Sequence, residues 1–246
     1  MAATATSSQP AFFKQLAANE KHNRDAALSS LKTYLTNRTT ISLLELQKLW
    51  KGLFYCMWMS DKPRNQQQLA RDLSSLLDIL PPTQTQPFLR AFWQTMANEW
   101  NGIDVLRMDK FLYLTRQMLN KGFVVCRKGG WESVDGLVEV LGDIPLNVRE
   151  MKIPNGLRYH VIDIYVDEME KVYEDGEGED MPVEVLLAPL RTLGKESLTK
   201  SIRERCRAAL KDERVKQWLG EEGESAGKGE EVERDGVDDE WGGIED

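Results

Sequence analysis

Histidine and cysteine are scarce in this chain of 246 residues: the only histidines are His22 and His160, and the only cysteines are Cys56, Cys126 and Cys206. The cysteines are odd in number, roughly 70 to 80 residues apart, and form no C-x-x-C pair. That pattern argues against a disulfide framework and a zinc site and fits a reducing compartment. No apolar run reaches the ~20 residues that a bilayer-spanning helix needs. The densest one, from Leu49 to Met59, is interrupted by Lys51 and Gly52 and stops at Ser60-Asp61-Lys62-Pro63. The opening MAATATSSQP has no basic stretch followed by apolar residues, so neither a secretory signal nor an arginine-rich transit peptide is expected. Also missing are G-x-x-x-x-G-K-[ST], G-x-S-x-G, H-E-x-x-H and any G-x-G-x-x-G following a strand. What remains is a chain long enough to bury a core without a metal or a covalent staple.

The formal net charge of -8 averages over unlike segments. Residues 1–160 hold 20 Lys+Arg against 14 Asp+Glu, and 185–220 hold 9 against 4. The acid is concentrated in 161–184, with 10 against 1, and in 221–246, with 12 against 2. The body is therefore mildly basic, and an acidic overall balance does not argue against a polyanionic partner.

Residues 1–10 and 219–246 are small, polar or acidic, and read as disordered ends flanking a helical region, 11–218. Within that region apolar residues recur at helical spacing between short breaks containing Pro or Gly, which predicts helices near 12–19, 23–36, 42–59, 64–79, 85–100, 105–126, 131–141, 156–174, 182–193 and 196–218. Thr85 is a candidate N-cap with Pro87 in the first turns, and Asp104 a candidate N-cap for a stripe of Met108, Phe111, Leu112, Met118 and Leu119. HVIDIYVDE, His160 to Glu168, is β-branched enough for a strand. The wider spacing of Leu157, Val161, Ile164, Tyr165 and Val172 favours a helix. The expected fold is all-α, an irregular HEAT-like α-solenoid of antiparallel helix pairs, with a single globular bundle as the alternative.

Material for catalysis is thin. His160 next to Tyr159 and near Asp163 reads as a structural or capping histidine, Cys56 as core, and Asp163, Asp167, Glu168 and Glu170 as a solvated acidic helix face before a cation site. The last helix says more. At 100° per residue, Leu198, Ile202, Cys206 and Ala209 share one side, while Lys200, Arg203, Arg207, Lys211 and Arg214 lie opposite as a basic ridge, suited to RNA phosphates or an acidic partner. The acidic segment 221–246 could compete for that ridge or engage a basic ribosomal protein.

Four stretches together resemble the ribosomal RNA-processing protein 1 family: KLWKGLFYCMWMSDKP (Lys48 to Pro63), LAANEKHNRDAALSSLKTYL (Leu16 to Leu35), FWQTMANEWNGIDVLRMDKFLYLTRQML (Phe92 to Leu119) and GLRYHVIDIYVDEMEKV (Gly156 to Val172). The resemblance covers about 11–200. It implies a non-enzymatic, all-helical nucleolar factor of pre-60S particles, needed for pre-rRNA processing. Such a factor carries no cofactor and docks as a monomer beside other assembly factors, Brix-domain and propeller proteins among them. Some members have long basic C-terminal extensions; here the corresponding end is acidic, and no basic run of five or more marks a nuclear import signal. Candidate partner or RNA contacts are Lys51, Lys62 and Arg64 around the end of the Trp50 helix, Arg107, Lys110 and Arg116 on the helix after Asn101-Gly102, and the ridge residues. Two other readings are a metal-dependent nuclease using Asp104, Asp109 and Asp163, and an adaptor that binds protein alone.

Overall fold

The computed structural model describes residues 15–16, 18–38, 40–176 and 181–220. The ends at 1–10 and 221–246 and the segment 177–180 fall outside them, as does half of the predicted helix at 12–19. Ten α-helices occur among the described residues: α1 (Lys21–Thr36), α2 (Leu43–Met59), α3 (Pro63–Ser74), α4 (Pro82–Glu99), α5 (Val105–Lys128), α6 (Val134–Asp143), α7 (Asn155–Asp175), α8 (Val183–Glu196), α9 (Lys200–Leu210) and α10 (Glu213–Leu219).

Local chemistry sets most of their ends. Ser42 and Glu45 form a reciprocal capping box that starts α2. The Asp104 carboxylate accepts from the Arg107 N–H at 3.1 Å to start α5, as the sequence predicts. Three ends differ from expectation. Pro82 occupies the first position of α4, so the helix begins three residues before Thr85; Thr85 is buried within the helix, and Pro87 also lies inside it. The segment from Gly129 is a turn, left-handed at Gly130 and Trp131 (φ 61° and 65°), and α6 starts only at Val134. The single helix expected over 196–218 is two, because Asp212 turns its carboxylate onto the Arg214 N–H at 3.0 Å and starts α10 anew. Leu198, 82 % exposed, lies before α9 and outside its apolar side.

The helices stack in two rows. α2, α4, α6 and α8 pack successively in one, and α3, α5, α7 and α9 in the other. Contacts give the directions. Ile41, just before α2, donates its N–H to Gln84 of α4, Trp50 and Lys51 meet Phe88, Phe92 and Glu99 farther along α4, and Gln86 and Arg90 of α4 meet Glu139 and Asp143 of α6. Arg71 of α3 meets Tyr113 of α5, Asp78 of the 3-10 turn that continues α3 (Ser75–Ile79) meets Lys121 and Lys128 of α5, and His160 and Asp167 of α7 meet Leu112 and Arg116 of α5. Sequence position rises together in each case, so helices within a row run parallel. Between rows the order reverses: Phe54 of α2 stacks on Phe111 of α5 at 4.5 Å, but Trp58 and Ser60 meet Arg107 and Lys110. Parallel rows running against one another are what stacked antiparallel helix pairs produce, and the expected all-α solenoid is what the chain forms. α1 covers the 3-10 turn after α3, and α10 packs between α7 and α8.

The core runs the length of both rows, from Leu31 and Trp50 to Leu190 and Cys206. α7 is helical throughout, and Leu157, Val161, Ile164, Tyr165 and Val172 are all buried as its spacing predicts. α8 and α9 approach closely at Gly194, where an added Cβ would stand 2.9 Å from the Cβ of Cys206. The Trp50 helix is more open than its composition suggests: Leu44, Lys48, Lys51, Tyr55 and Met59 form an exposed row along it.

Candidate interaction surfaces

Five of the six candidate cations of the first half, all but Arg116, converge on one end of the solenoid, with different fates. Lys110 is buried and donates to the carbonyls of Trp58 and Ser60 at 2.7 and 2.9 Å, capping the C-terminus of α2. Burial and the neighbouring Arg107 hold its pKa below the ordinary lysine value. It is therefore a structural cation, a correction to its candidacy as a contact. The Arg107 guanidinium pairs with Asp104 and lies 4.8 Å from the Trp58 ring centroid, and Lys51 pairs with Glu99 beside the Tyr55 ring. Lys62 and Arg64, where α3 begins, are exposed and have no side-chain partner among the described residues.

Sequence reasoning passed over the apolar side chains at this end. Val105 and Leu106, in the first turn of α5, are 89 % and 94 % exposed, and Tyr55 and Met59 project from the last turns of α2. The signal was available for Leu106, which sits about 160° from Met108 and so off the apolar stripe of its helix.

In the middle of the second row the charges are consumed. Arg116 of α5 donates to Asp167 at 2.6 Å and to Glu168, whose side chain is fully buried and is also reached by Lys171 at 2.7 Å. Arg205 of α9 holds Asp163 at 2.7 Å. Arg214 of α10 holds Glu170 at 2.6 Å, Asp167 at 3.2 Å and its own cap Asp212, and these bonds raise its pKa. The acidic face of α7 is thus an ionic seam between basic neighbours, where a solvated surface was expected, and Arg116 and Arg214 leave the list of contacts. Among the described residues no three His, Cys, Asp or Glu side chains are grouped to hold a metal ion, and Asp104 and Asp163 are engaged by Arg107 and Arg205.

His160 is structural as predicted. Its Nε2 lies 2.9 Å from the Leu112 carbonyl and its ring stacks on Trp100. Burial pushes its pKa below the usual ~6.5; the Leu112 carbonyl and Asp163 oppose that shift, and Arg116 adds to it. A neutral ring with Nε2–H donating fits this setting. Because the folded value is depressed, the contribution of His160 is present above about pH 6.5 and is lost as pH falls through the folded value. Melting temperature should decline as pH falls below about 6.5, and His160→Gln should flatten that slope; an unchanged slope would show that the decline has another source.

At the far end, α9 keeps four of the five ridge cations on one side. Lys200, Arg207 and Lys211 are exposed, while Arg203 is half-buried and donates to the carbonyls of Ser197 and Leu198 at 2.6 and 3.0 Å beyond the end of α8. Cys206 is buried and its thiol pKa is pushed up to about 12 by burial, which leaves it inert.

These features define a class: a helical-repeat protein that spends Arg116, Arg205 and Arg214 on its own packing and presents exposed cations at its two ends. The chain belongs to the family of the nucleolar protein Nop52, whose pattern matches residues 7–245. It is similar to the human ribosomal RNA processing protein 1 homologs A and B, at 44 % identity over 167 residues and 42 % over 176. These alignments cover 65 % and 67 % of this chain but 36 % and 23 % of those proteins. The Drosophila melanogaster ribosomal RNA processing protein 1 homolog is 31 % identical over 186 residues, 73 % of the chain and 27 % of that protein. The resemblance carried by the four motifs therefore holds, and the chain spans about a quarter to two fifths of the curated relatives it matches.

Proposed function

We propose that the chain is a non-enzymatic helical scaffold of the nucleolar pre-60S particle, required for pre-rRNA processing. It would act as a monomer that binds other assembly factors, Brix-domain and propeller proteins among them, and contacts pre-rRNA. The names of its relatives support the process. The observation that carries the mode of action is the distribution of charge: Arg116, Arg205 and Arg214 are locked to the acids of α7, while Lys62 and Arg64 at one end and Lys200, Arg207 and Lys211 at the other remain available. The exposed Tyr55, Met59, Val105 and Leu106 make the first end suited to protein, and the cation row of α9 makes the second suited to phosphates.

Purification of the tagged chain from nucleolar extract should recover large-subunit precursor RNA; recovery of none rejects the reading. Lys200→Glu/Arg207→Glu/Lys211→Glu should leave stability within about 0.5 kcal/mol, since all three side chains are exposed and the one ion pair among them, Lys200 with Glu204, is itself at the surface, while weakening RNA binding at least about tenfold and lowering its salt slope by about 2. Incubation with precursor RNA and Mg²⁺ separates this reading from a processing nuclease. Cleavage abolished by a single Asp→Asn change would overturn it.

A further inference from the structure

α9 ends the second row, and among the described residues no helix stacks on one of its sides. Ser201 and Arg205 face α7, meeting Tyr159 and Asp163 at 2.8 and 2.7 Å, and Ile202 and Cys206 are buried, Cys206 against Gly194 of α8. The side turned away from α7 carries Lys200, Arg203, Arg207 and Lys211 at offsets 0, 3, 7 and 11. In α3, α5 and α7 the equivalent side is covered by the next helix of the row. Lys200 has one exposed ion pair, to Glu204 at 3.6 Å, and Arg207 and Lys211 have no partner among the described residues. Arg214 takes no part, since the break at Asp212 carries it back to α7.

Charge and reach both name an occupant. Residues 221–246, outside the described residues, contain 12 Asp+Glu against 2 Lys+Arg. They follow directly on α10, which ends at a left-handed Gly220 (φ 72°) and whose Trp218 rests on Tyr173 near the end of α7. α10 is seven residues long, so the last described residue stands on the order of 15 Å from Lys211, and α9 itself is about 16 Å long. Extended chain covers ~3.3 Å per residue, which brings Glu221 to Glu240 within reach of all four cations.

We propose that residues 221–246 occupy the terminal face of α9, an intramolecular anionic occupant that any polyanion must displace. The docking rests on charge and chain geometry alone; the displacement rests also on the proposed RNA contact. Zero-length carbodiimide crosslinking of the full chain at low salt, mapped by mass spectrometry, should join Lys200 and Lys211 to carboxylates of 221–246, and should lose those links in 0.5 M salt (about a 4 Å screening length). Links to Lys48 and Lys62 in equal yield, or none to α9, would overturn the docking. In parallel, a full-length variant with the Asp and Glu of 221–240 changed to Asn and Gln should bind a uridine 20-mer about tenfold more tightly at low salt than the parent. α9 links without that gain would uphold the docking and reject RNA as the ligand of this face. The gain without the links would reject docking at α9 and place the competition elsewhere.

Discussion

Trp50→Ala should cost the fold about 4 kcal/mol and lower the melting temperature by about 12 °C. Trp50 is 1 % exposed, and its ring lies 5.0 Å from Phe88 and 4.9 Å from Phe92 on α4, the contact that begins the first row. Truncation leaves a cavity the size of an indole among α2 and α4 side chains that are themselves locked: Phe92 stands edge-on to Trp93 at 5.0 Å, and Phe54 stacks on Phe111. The site cannot collapse around the gap, which keeps the loss within the ~3–5 kcal/mol range of buried aromatic truncations. Trp50→Phe offers a sharper comparison. The indole Nε1 is buried without a hydrogen-bond partner among the described residues, a cost that phenylalanine removes along with part of the volume. Its net loss should therefore be only about 1 kcal/mol. Equal melting temperatures for Trp50→Ala and the parent would mean that α2 is not part of the cooperative core.

The same helix shows how far the residues alone reach. The burial of Trp50, Leu53, Phe54 and Met57 is legible in their number and spacing, since a helix so rich in large apolar groups must pack most of its surface. That Tyr55 and Met59 stay outside is not legible, because it depends on where α4 and α5 lie, and spacing within one helix carries no information about its neighbours. The solenoid was readable from many helices joined by short breaks. Its division into two parallel rows was not, since no strict repeat marks which helix stacks on which.

Charge shows the contrast more strongly. Arg116 and Arg207 look alike in sequence, each a cation on the polar face of an amphipathic helix. One is pinned between α5 and α7 and the other projects from the end of the row. What separates them is Glu168, an acid at a buried position of α7, and only tertiary packing reveals that this acid needs a partner. The break at Asp212 could have been suspected, because Asp competes with the helix backbone for its own N–H groups, yet continuity of the basic stripe argued the other way.

Arg116→Met is the discriminating experiment for that distinction, with an expected loss of about 3 kcal/mol. The methionine keeps much of the stem packing and removes only the guanidinium. Glu168, 0 % exposed, is then left with Lys171 alone on one oxygen and no partner among the described residues on the other. Desolvation of the carboxylate is no longer offset, and that cost exceeds what the ion pair itself contributes. The double variant Arg116→Met/Glu168→Leu should therefore recover most of the loss and melt within about 1 kcal/mol of the parent, because an apolar pair of similar volume carries no desolvation penalty. A residue whose role was to contact RNA would behave differently: Arg116→Met would weaken binding with the melting temperature unchanged, and Glu168→Leu would rescue nothing. Equal destabilisation in the single and double variants would show that Arg116 acts through packing of its stem, and that the seam between α5 and α7 does not depend on charge.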